Sequence, residues 1–353
     1  MTREVETILL LDEQTTMIRW GSAFRSNLLK ARDRIGTWLC EAPLRHAPDL
    51  ELGGVAGRLS ASGGVEFHYG EVAGYWLSWA ALYAPNSNRM TAVVNWLDRQ
   101  WSGPYPAATR VGVRSDWRNQ GVSSFDLAMI VRGLADAAPF VGEAPCSKAA
   151  ARIAGWLDRM VGADGRLDPW LVLDSAGFPD RWSTRRGPHQ IKTSAALLDA
   201  PTGWLSTRIL RAAKETIDGW AARVDEQVDW HARLYAMEGL ARVRPDQRAK
   251  IGFDHAVGYL PEQVGSSQGR SRADIQAQAL RLLCLDPCAS DTIRLQFADV
   301  VLAHVSLQGA VRFWPDDETA NVWCAIFTHQ ALDWCIYRQG VGGIRKPDSR
   351  ELI

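Results

Sequence analysis

Four ionisable residues occupy equivalent places in the sequence. Glu71 and Asp126 each stand near the start of a stretch of small and apolar residues, and His189 and His231 stand at the starts of two later stretches. The chain has only seven histidines, so the presence of two at matched positions makes His189 and His231 candidate functional residues. Carboxyl and imidazole groups are the usual acids and bases of enzymes. If these starts are the ends of neighbouring helices, the four side chains should meet at one place.

The two carboxylates suggest one kind of chemistry. On neighbouring helices, Glu71 and Asp126 could serve as the acid and the base of a glycoside hydrolase. Each also has a structural interpretation, because a carboxylate in the first turn stabilises the helix dipole, and Asp126 follows Ser123 and Ser124 where a cap is expected. The sequence leaves both interpretations open.

The histidines suggest a second kind of chemistry. Tyr235 follows His231 by four residues and so lies on the same helix face, and Glu238 is one turn further on. A neutral histidine can take a proton and a tyrosine can give one, which suits proton abstraction beside a carboxylate or carbonyl group. With His189 as a second base, this predicts an epimerase-like or lyase-like enzyme. The alternatives are that Tyr235 packs in the core and that each histidine only binds a hydroxyl group.

Further residues are candidates for substrate binding. Arginines in the loops before these stretches could hold a carboxylate through two parallel hydrogen bonds. They are Arg181, Arg185, Arg186, Arg270 and Arg272. Aromatic rings could stack on sugars, and buried amides or carboxylates could pair with hydroxyl groups. This second set contains Tyr69, Tyr75, Glu238, Gln276, Asn321 and Trp323.

Two kinds of helix alternate along the chain. The first kind has apolar residues at three- and four-residue steps with charges between them, which predicts a helix with one wet face. Such segments are 27–40, 88–100, 147–160, 206–224 and 291–305, with a short, less regular one at 246–255. The second kind carries no charged stripe and begins near residues 70, 125, 189, 231, 273 and 321.

This sixfold alternation predicts an all-α fold, an (α/α)6 toroid of six helical hairpins whose inner helices begin at a common mouth. No segment alternates over a length that would build a sheet, and no linker divides residues 1–353, so a single domain is expected. Residues 1–20 are expected to form an accessory N-terminal helix, and 340–353 a flexible tail.

Composition argues against several classes of protein. Lys+Arg and Asp+Glu each number 40, so we expect no basic face for nucleic acid or an anionic membrane. No apolar stretch reaches the roughly 18 residues of a membrane span. The first residues do not resemble a signal peptide. Together these two observations predict a cytoplasmic protein. The six cysteines form no CxxC pair and no glycine-rich nucleotide motif occurs, so neither a metal nor a cofactor is expected.

The helix starts resemble those of VpsJ-type proteins, a family of helical toroids encoded with bacterial exopolysaccharide and O-antigen assembly genes. The matching residues are Glu71-Val72-Ala73-Gly74-Tyr75, Phe125-Asp126 with Gly133-Leu134, His189 to Leu198, and His231, Tyr235, Glu238, Gly239 and Leu240. The similarity covers residues 60–335. Ala73 replaces the usual threonine of that family, and the fifth outer helix is shortened. The resemblance implies a role in surface-polysaccharide biosynthesis.

We therefore expect a protein that acts on a saccharide or glycoconjugate during exopolysaccharide or O-antigen biosynthesis, with epimerase-like or lyase-like chemistry. Three alternatives remain: a glycoside hydrolase using Glu71 and Asp126, a non-catalytic glycan-binding assembly factor, and an enzyme like the terpenoid cyclases, which share this fold.

Overall fold

The computed structural model describes residues 21–44, 52–113, 115–174, 178–227, 229–244, 264, 271–340 and 344–353. The accessory helix expected at 1–20 and the short outer helix expected at 246–255 lie outside these residues, as does Arg270. Within them the chain forms eleven α-helices and six short strands.

Six helices form an inner layer, and they are the segments without a charged stripe. They are α2 (Gly70–Tyr83), α4 (Ser124–Val141), α6 (Gln190–Leu198), α8 (Trp230–Val243), α9 (Ala273–Leu285) and α11 (Val322–Arg338). A helix that is apolar on every side is stable where protein surrounds it. In α9, for example, every residue is buried.

The other five helices form an outer layer. They are α1 (Ser22–Glu41), α3 (Ser87–Gln100), α5 (Glu143–Arg159), α7 (Thr207–Trp220) and α10 (Asp291–Leu302). Each buries mainly one face; in α3 the buried residues Met90, Val94 and Leu97 recur at helical spacing. Polar caps set several starts, as where the Ser206 hydroxyl accepts the N–H of Ile209 at 3.2 Å before α7.

The inner helices close into a ring. Each packs on the next in chain order, and α11 packs on α2. The outer helix α1 lies against α11 at this closure. An open solenoid would leave its first and last repeats apart, so these contacts confirm the predicted (α/α)6 toroid.

Glycines allow two pairs of inner helices to approach closely. A Cβ atom on Gly133 of α4 would lie 2.3 Å from the carbonyl oxygen of Gly74 in α2. A Cβ atom on Gly239 of α8 would lie 2.6 Å from the backbone nitrogen of Lys192 in α6. Side chains at these positions would overlap backbone atoms, so the helices pack backbone against backbone there.

Short strands occur where the sequence predicts no sheet. They are β1 (Ala56–Leu59), β2 (Val65–Tyr69), β3 (Arg110–Val111), β4 (Gly121–Ser123), β5 (Trp170–Val172) and β6 (Ala320–Asn321). The first sheet has the order β3-β2-β1-β6 and the second pairs β4 with β5, all antiparallel. In β1 and β6, Arg58 is opposite Asn321. The prediction of no sheet was wrong because strands of two to five residues are too short to show alternation.

Strands and helices are joined at one end of the ring. β2 leads directly into α2, β4 into α4 and β6 into α11. The sheets therefore tie together the loops from which three inner helices start.

The end of the chain also differs from the flexible tail expected at 340–353. In its described part, 344–353, the backbone N–H groups of Ile344 and Arg345 donate to the Asp333 carboxylate at 2.9 and 3.1 Å. Leu352 and Ile353 are buried. These two apolar residues and the Asp333 contacts hold the described part of the segment against the helices. Among the helices whose residues are described, none has the length and apolar character needed to traverse a bilayer.

Candidate active site at the mouth of the ring

A cavity of about 950 Å³ opens where the inner helices begin. First-turn residues of those helices line it together with the strands and loops around them. The five residues proposed as catalytic from the sequence all face it: Glu71, Asp126, His189, His231 and Tyr235. The structure thus brings together side chains that are far apart in the sequence.

Glu71 and Asp126 are positioned by two neighbouring helices. Each lies in the first turn of its helix, α2 and α4 respectively. The Ser123 hydroxyl caps α4 by accepting the N–H of Asp126 at 3.3 Å. Because α2 and α4 touch through Gly74 and Gly133, their first turns lie side by side.

Glu71 opens on the cavity but is surrounded by protein on its other sides. Burial raises the pKa of its carboxyl to about 8, and the nearby charge of Asp126 adds to the rise. The hydroxyls of Tyr69 and Tyr75 act in the opposite direction. At neutral pH Glu71 therefore carries a proton.

Asp126 shows a smaller shift. Burial raises the pKa of this carboxyl to about 6, while hydrogen bonding to Ser123 and Tyr69 and the charge of Arg118 favour the ionised form. At neutral pH Asp126 is therefore mainly a carboxylate. Burial thus raises the pKa of both cavity carboxyls.

The two tyrosines proposed for substrate binding lie at different depths. Tyr69 lines the cavity. Tyr75 is one turn further into α2, is only 2% exposed, and packs its ring on Phe327 at 5.1 Å between centroids. Tyr75 therefore lies below the cavity floor, where its hydroxyl acts on Glu71 and not on a ligand in the cavity.

The two ring nitrogens of His231 lie near a bonded arginine–aspartate pair. Arg272 Nη2 lies 3.1 Å from His231 Nδ1, and Asp274 Oδ2 lies 3.6 Å from His231 Nε2. Because a guanidinium has no acceptor, Nδ1 must accept, which leaves the ring proton on Nε2 facing Asp274. Burial lowers the pKa of His231 to about 3. The ring is therefore neutral, and the only lone pair on its nitrogens is already in use.

Arg272 and Asp274 form a closed ion pair. The guanidinium donates from Nε and Nη2 to the two carboxylate oxygens at 3.1 and 2.7 Å. Burial would raise the pKa of Asp274, but Arg272 and His231 outweigh it and hold the value at about 2. Arg272 lines the cavity as expected, with its charge already balanced.

An indole ring covers the histidine side of the cavity. The Trp182 ring centroid lies 5.2 Å from that of His189 and 5.5 Å from that of His231. Tyr235 stacks on His231 at 4.4 Å, and Phe125 packs on Tyr235 at 4.8 Å. Burial lowers the pKa of His189 to about 4 and raises that of Tyr235 well above its usual value. The histidine and tyrosine rings of this side are therefore uncharged at neutral pH, next to the Arg272–Asp274 ion pair.

Two of the proposed arginines lie away from the cavity lining. Arg185 is exposed and pairs with Asp180. Arg186 bridges Asp164 and Asp168, each at 2.6 Å. Loop composition suggested that they face the mouth, but local carboxylates turn both guanidiniums outward.

Glu238 and Gln276 are also outside the lining. Glu238 lies under the cavity floor, where Lys192 and Arg281 donate to its carboxylate at 2.7 and 2.5 Å. The Gln276 amide is fully buried and donates to the backbone oxygen of Val264. Both are structural in this arrangement, because helical spacing identifies a shared face but not its depth.

Asn321 and Trp323, at the start of α11, do line the cavity. The Asn321 side-chain oxygen caps α11 by accepting the N–H of Cys324 at 3.0 Å. The Trp323 ring lies 6.3 Å from that of Phe313, between centroids. Asn321 therefore has a structural role as well as a place at the site.

Two residues that line the cavity, Asp274 and Arg118, were not among the candidates from the sequence. The Arg272-x-Asp274 spacing at the start of α9 was a usable signal, because it places both residues at one helix start. Arg118 lies in a single 3-10 turn, Trp117–Gln120, which is too short for periodicity to identify. Trp182, which also lines the cavity, belongs to a loop whose tryptophans suggested the roof of a cavity. Among the residues that the structure describes, no three His, Cys, Asp or Glu side chains are grouped as metal ligands.

No protein-family model matches the sequence, and no curated protein does either. Solved structures do match. A D-mannose isomerase has 13% identity and a TM-score of 0.62 over 90% of this chain and 98% of its own. A glycosidase in complex with glucose has 11% identity and a TM-score of 0.62 over 89% and 98%.

A type II terpene cyclase from Scytonema, with a geranylgeranyl dihydroxybenzoate substrate, has 12% identity and a TM-score of 0.57 over 89% and 98%. At such low identity these matches establish the shared (α/α) toroid fold.

Proposed function

We propose that this chain is a glycoside hydrolase in which Glu71 is the general acid and Asp126 the general base. The observation that carries the proposal is a pair of carboxyls in the first turns of the neighbouring helices α2 and α4: both line the cavity, and burial raises the pKa of both. A protonated and an ionised carboxyl at one site are what glycoside hydrolysis requires.

In the proposed reaction, the Glu71 carboxyl donates its proton to the glycosidic oxygen as the bond from that oxygen to the anomeric carbon breaks. The Asp126 carboxylate removes a proton from the water that attacks the anomeric carbon. The products are two free hydroxyl-bearing sugars, and the proton gained by Asp126 balances the one lost by Glu71.

The histidine side of the cavity gives less support to epimerase-like or lyase-like chemistry. A base needs a free lone pair, but His231 Nδ1 already accepts from Arg272. We assign His231 to sugar binding through its ring, together with Tyr235 and Trp182. Sugar rings expose apolar C–H faces that suit such aromatic walls.

Two of the proteins that share the fold, the D-mannose isomerase and the glycosidase, are enzymes that act on sugars. A terpene cyclase shares it too. Polar lining favours the saccharide over the terpenoid alternative, because Arg58, Arg110 and Arg118 face the cavity beside the carboxyls. A biosynthetic setting, the assembly of a bacterial surface polysaccharide, rests on the VpsJ-type resemblance alone.

The test is hydrolysis of a panel of oligosaccharides that covers common hexose, hexosamine and uronic acid linkages, with products resolved by mass spectrometry. The wild-type protein should cleave at least one member, and Glu71→Gln and Asp126→Asn should abolish that cleavage. Absence of cleavage by the wild-type protein, with glycan binding retained, would instead favour the non-catalytic assembly factor.

A further inference from the structure

Three arginines and a tryptophan form one wall of the cavity, here called the arginine wall: Arg110, Arg118, Arg181 and Trp117. We propose that this wall binds an anionic group of the saccharide, a carboxylate or a sulfate ester. The inference rests on the proposed function and specifies its substrate class.

Charge is unbalanced at this wall. Arg110 donates to one oxygen of Asp116 at 2.8 Å, and Arg118 donates to the other at 3.1 Å. Burial would raise the pKa of Asp116, but the Arg118 backbone N–H and the two guanidiniums hold it below its usual value, so the carboxylate is ionised. Asp116 thus offsets one of these two positive charges, and the Asp126 carboxylate is near enough for both guanidiniums to lower its pKa.

Arg181 adds a third positive charge. It is exposed at the cavity rim, and no carboxylate pairs with it among the residues that the structure describes. Its guanidinium carbon lies 5.6 Å from the Trp117 ring centroid, and that of Arg118 lies 4.6 Å from the same ring. Contact with one indole keeps the two guanidiniums in the same region.

Local contacts hold the Arg181 backbone in place. Its N–H donates to the Thr184 hydroxyl at 3.0 Å. The neighbouring Ser183 carbonyl accepts from the indole N–H of Trp170 at 2.8 Å. The residue after Arg181 is Trp182, whose ring covers the histidine side of the cavity. The side chain therefore starts from an ordered position at the edge of the site.

The wall adjoins the proposed acid and base. Arg110 and Arg118 line the same cavity as Glu71 and Asp126. Both guanidiniums lower the pKa of Asp126 against the larger effect of burial. A saccharide at the carboxyl pair would extend its next groups along the arginine wall.

The remaining cavity arginines are neutralised. Arg58 pairs with Glu66, and Arg272 is held by both oxygens of Asp274. Asp317 and Glu318 line another part of the mouth. Among the described arginines that line the cavity, Arg181 is therefore the one without a carboxylate partner. Guanidinium forks match the planar geometry of a carboxylate and also bind sulfate oxygens.

The experiment uses a glycan array that carries uronate-bearing, sulfated and neutral saccharides, probed with the full chain as Glu71→Gln so that no glycan is cleaved. Arg181→Gln is the test substitution in that background. Arg185→Gln is its matched control, since Arg185 is four residues away, exposed, paired with Asp180 and outside the lining.

We expect retention of anionic glycans, weakened at least about tenfold by Arg181→Gln and unchanged by Arg185→Gln. Preference for the uronate or for the sulfated set identifies the anionic group. Retention of neutral glycans only, retention of none, or an equal effect of the two substitutions would each overturn the inference. Cleavage of neutral oligosaccharides by the wild-type protein would leave the hydrolase proposal standing without it.

Discussion

Arg272 Nη2 lies 3.1 Å from His231 Nδ1, and the same nitrogen donates to Asp274 Oδ2 at 2.7 Å, so the carboxylate lies beside the guanidinium. This contact determines what the histidine can do. A ring that accepts a hydrogen bond at Nδ1 and carries its proton on Nε2 is fixed in one tautomer. Its Nδ1 is already bonded to Arg272 and therefore cannot take a proton from the substrate.

We predict that His231 is the neutral Nε2–H tautomer from about pH 5 to pH 8, because burial lowers its pKa to about 3. Nitrogen-15 NMR of histidine-labelled protein, assigned with His231→Gln, measures the tautomer directly. Arg272→Gln should raise the pKa of His231, since it removes a positive charge and leaves Asp274. A wild-type signal from Nδ1–H would contradict the arrangement.

The pH dependence of hydrolysis should be bell-shaped. Activity requires ionised Asp126, so kcat/KM should rise as pH increases through about 6. Activity also requires protonated Glu71, so kcat/KM should fall as pH increases through about 8. The measurement is kcat/KM against pH for the cleaved oligosaccharide. A profile that stays flat from pH 5 to pH 9 would remove the assignment.

Substitution of Glu71 should affect substrates unequally. Glu71→Gln should lower kcat by about 10²- to 10⁴-fold for an oligosaccharide, whose leaving hydroxyl needs a proton. The loss should be much smaller for a 2,4-dinitrophenyl glycoside of the same sugar, whose leaving group departs without one. Equal losses on both substrates would assign Glu71 to binding and not to proton donation.

Glu71 should also reduce stability at alkaline pH. Its pKa is higher in the folded protein than in the unfolded chain, so the folded state binds the extra proton and loses stability as pH rises from about 4.5 to about 8. Glu71→Gln should match the wild type near pH 4 and exceed it by about 1 to 3 kcal/mol at pH 8.

Urea denaturation at both pH values measures this difference. The exposed Glu215→Gln in α7 is the control and should keep the wild-type pH dependence. A stability gain for Glu71→Gln that is the same at both pH values would show that burial of an ionisable group is not its cause.

The glycine contact between α2 and α4 gives a prediction about folding. Gly133→Ala should destabilise the protein by at least about 1 to 3 kcal/mol, because its Cβ atom would lie 2.3 Å from the Gly74 carbonyl oxygen. Gly155→Ala is the control: it lies within α5, where a Cβ atom would meet no other atom within 4 Å, and should stabilise by up to about 1 kcal/mol. Thermal denaturation followed by circular dichroism compares the two variants. Equal midpoints would show that the helices move apart enough to accommodate the added methyl group.

Helical periodicity predicted most of the fold. The helical spacing of the apolar residues Met90, Val94 and Leu97 predicts an outer helix, because only one of its faces is buried. The uncharged run that follows Glu71 predicts an inner helix, because all of its faces are buried. The short strands show no such pattern, since two to five residues are too few to establish one.

The sequence by itself determined which residues begin the inner helices, and so nominated Glu71, Asp126, His189 and His231. Only the tertiary structure decided how they are used. Arg272 contacts His231 from another helix, and Arg186 pairs with Asp164 far away in the sequence. Asp180 pairs with Arg185 within one loop, and Arg181 lies over the Trp117 ring. Their physical reason is electrostatic: the charge state of a side chain depends on which partners surround it in space, and residue spacing does not specify those partners.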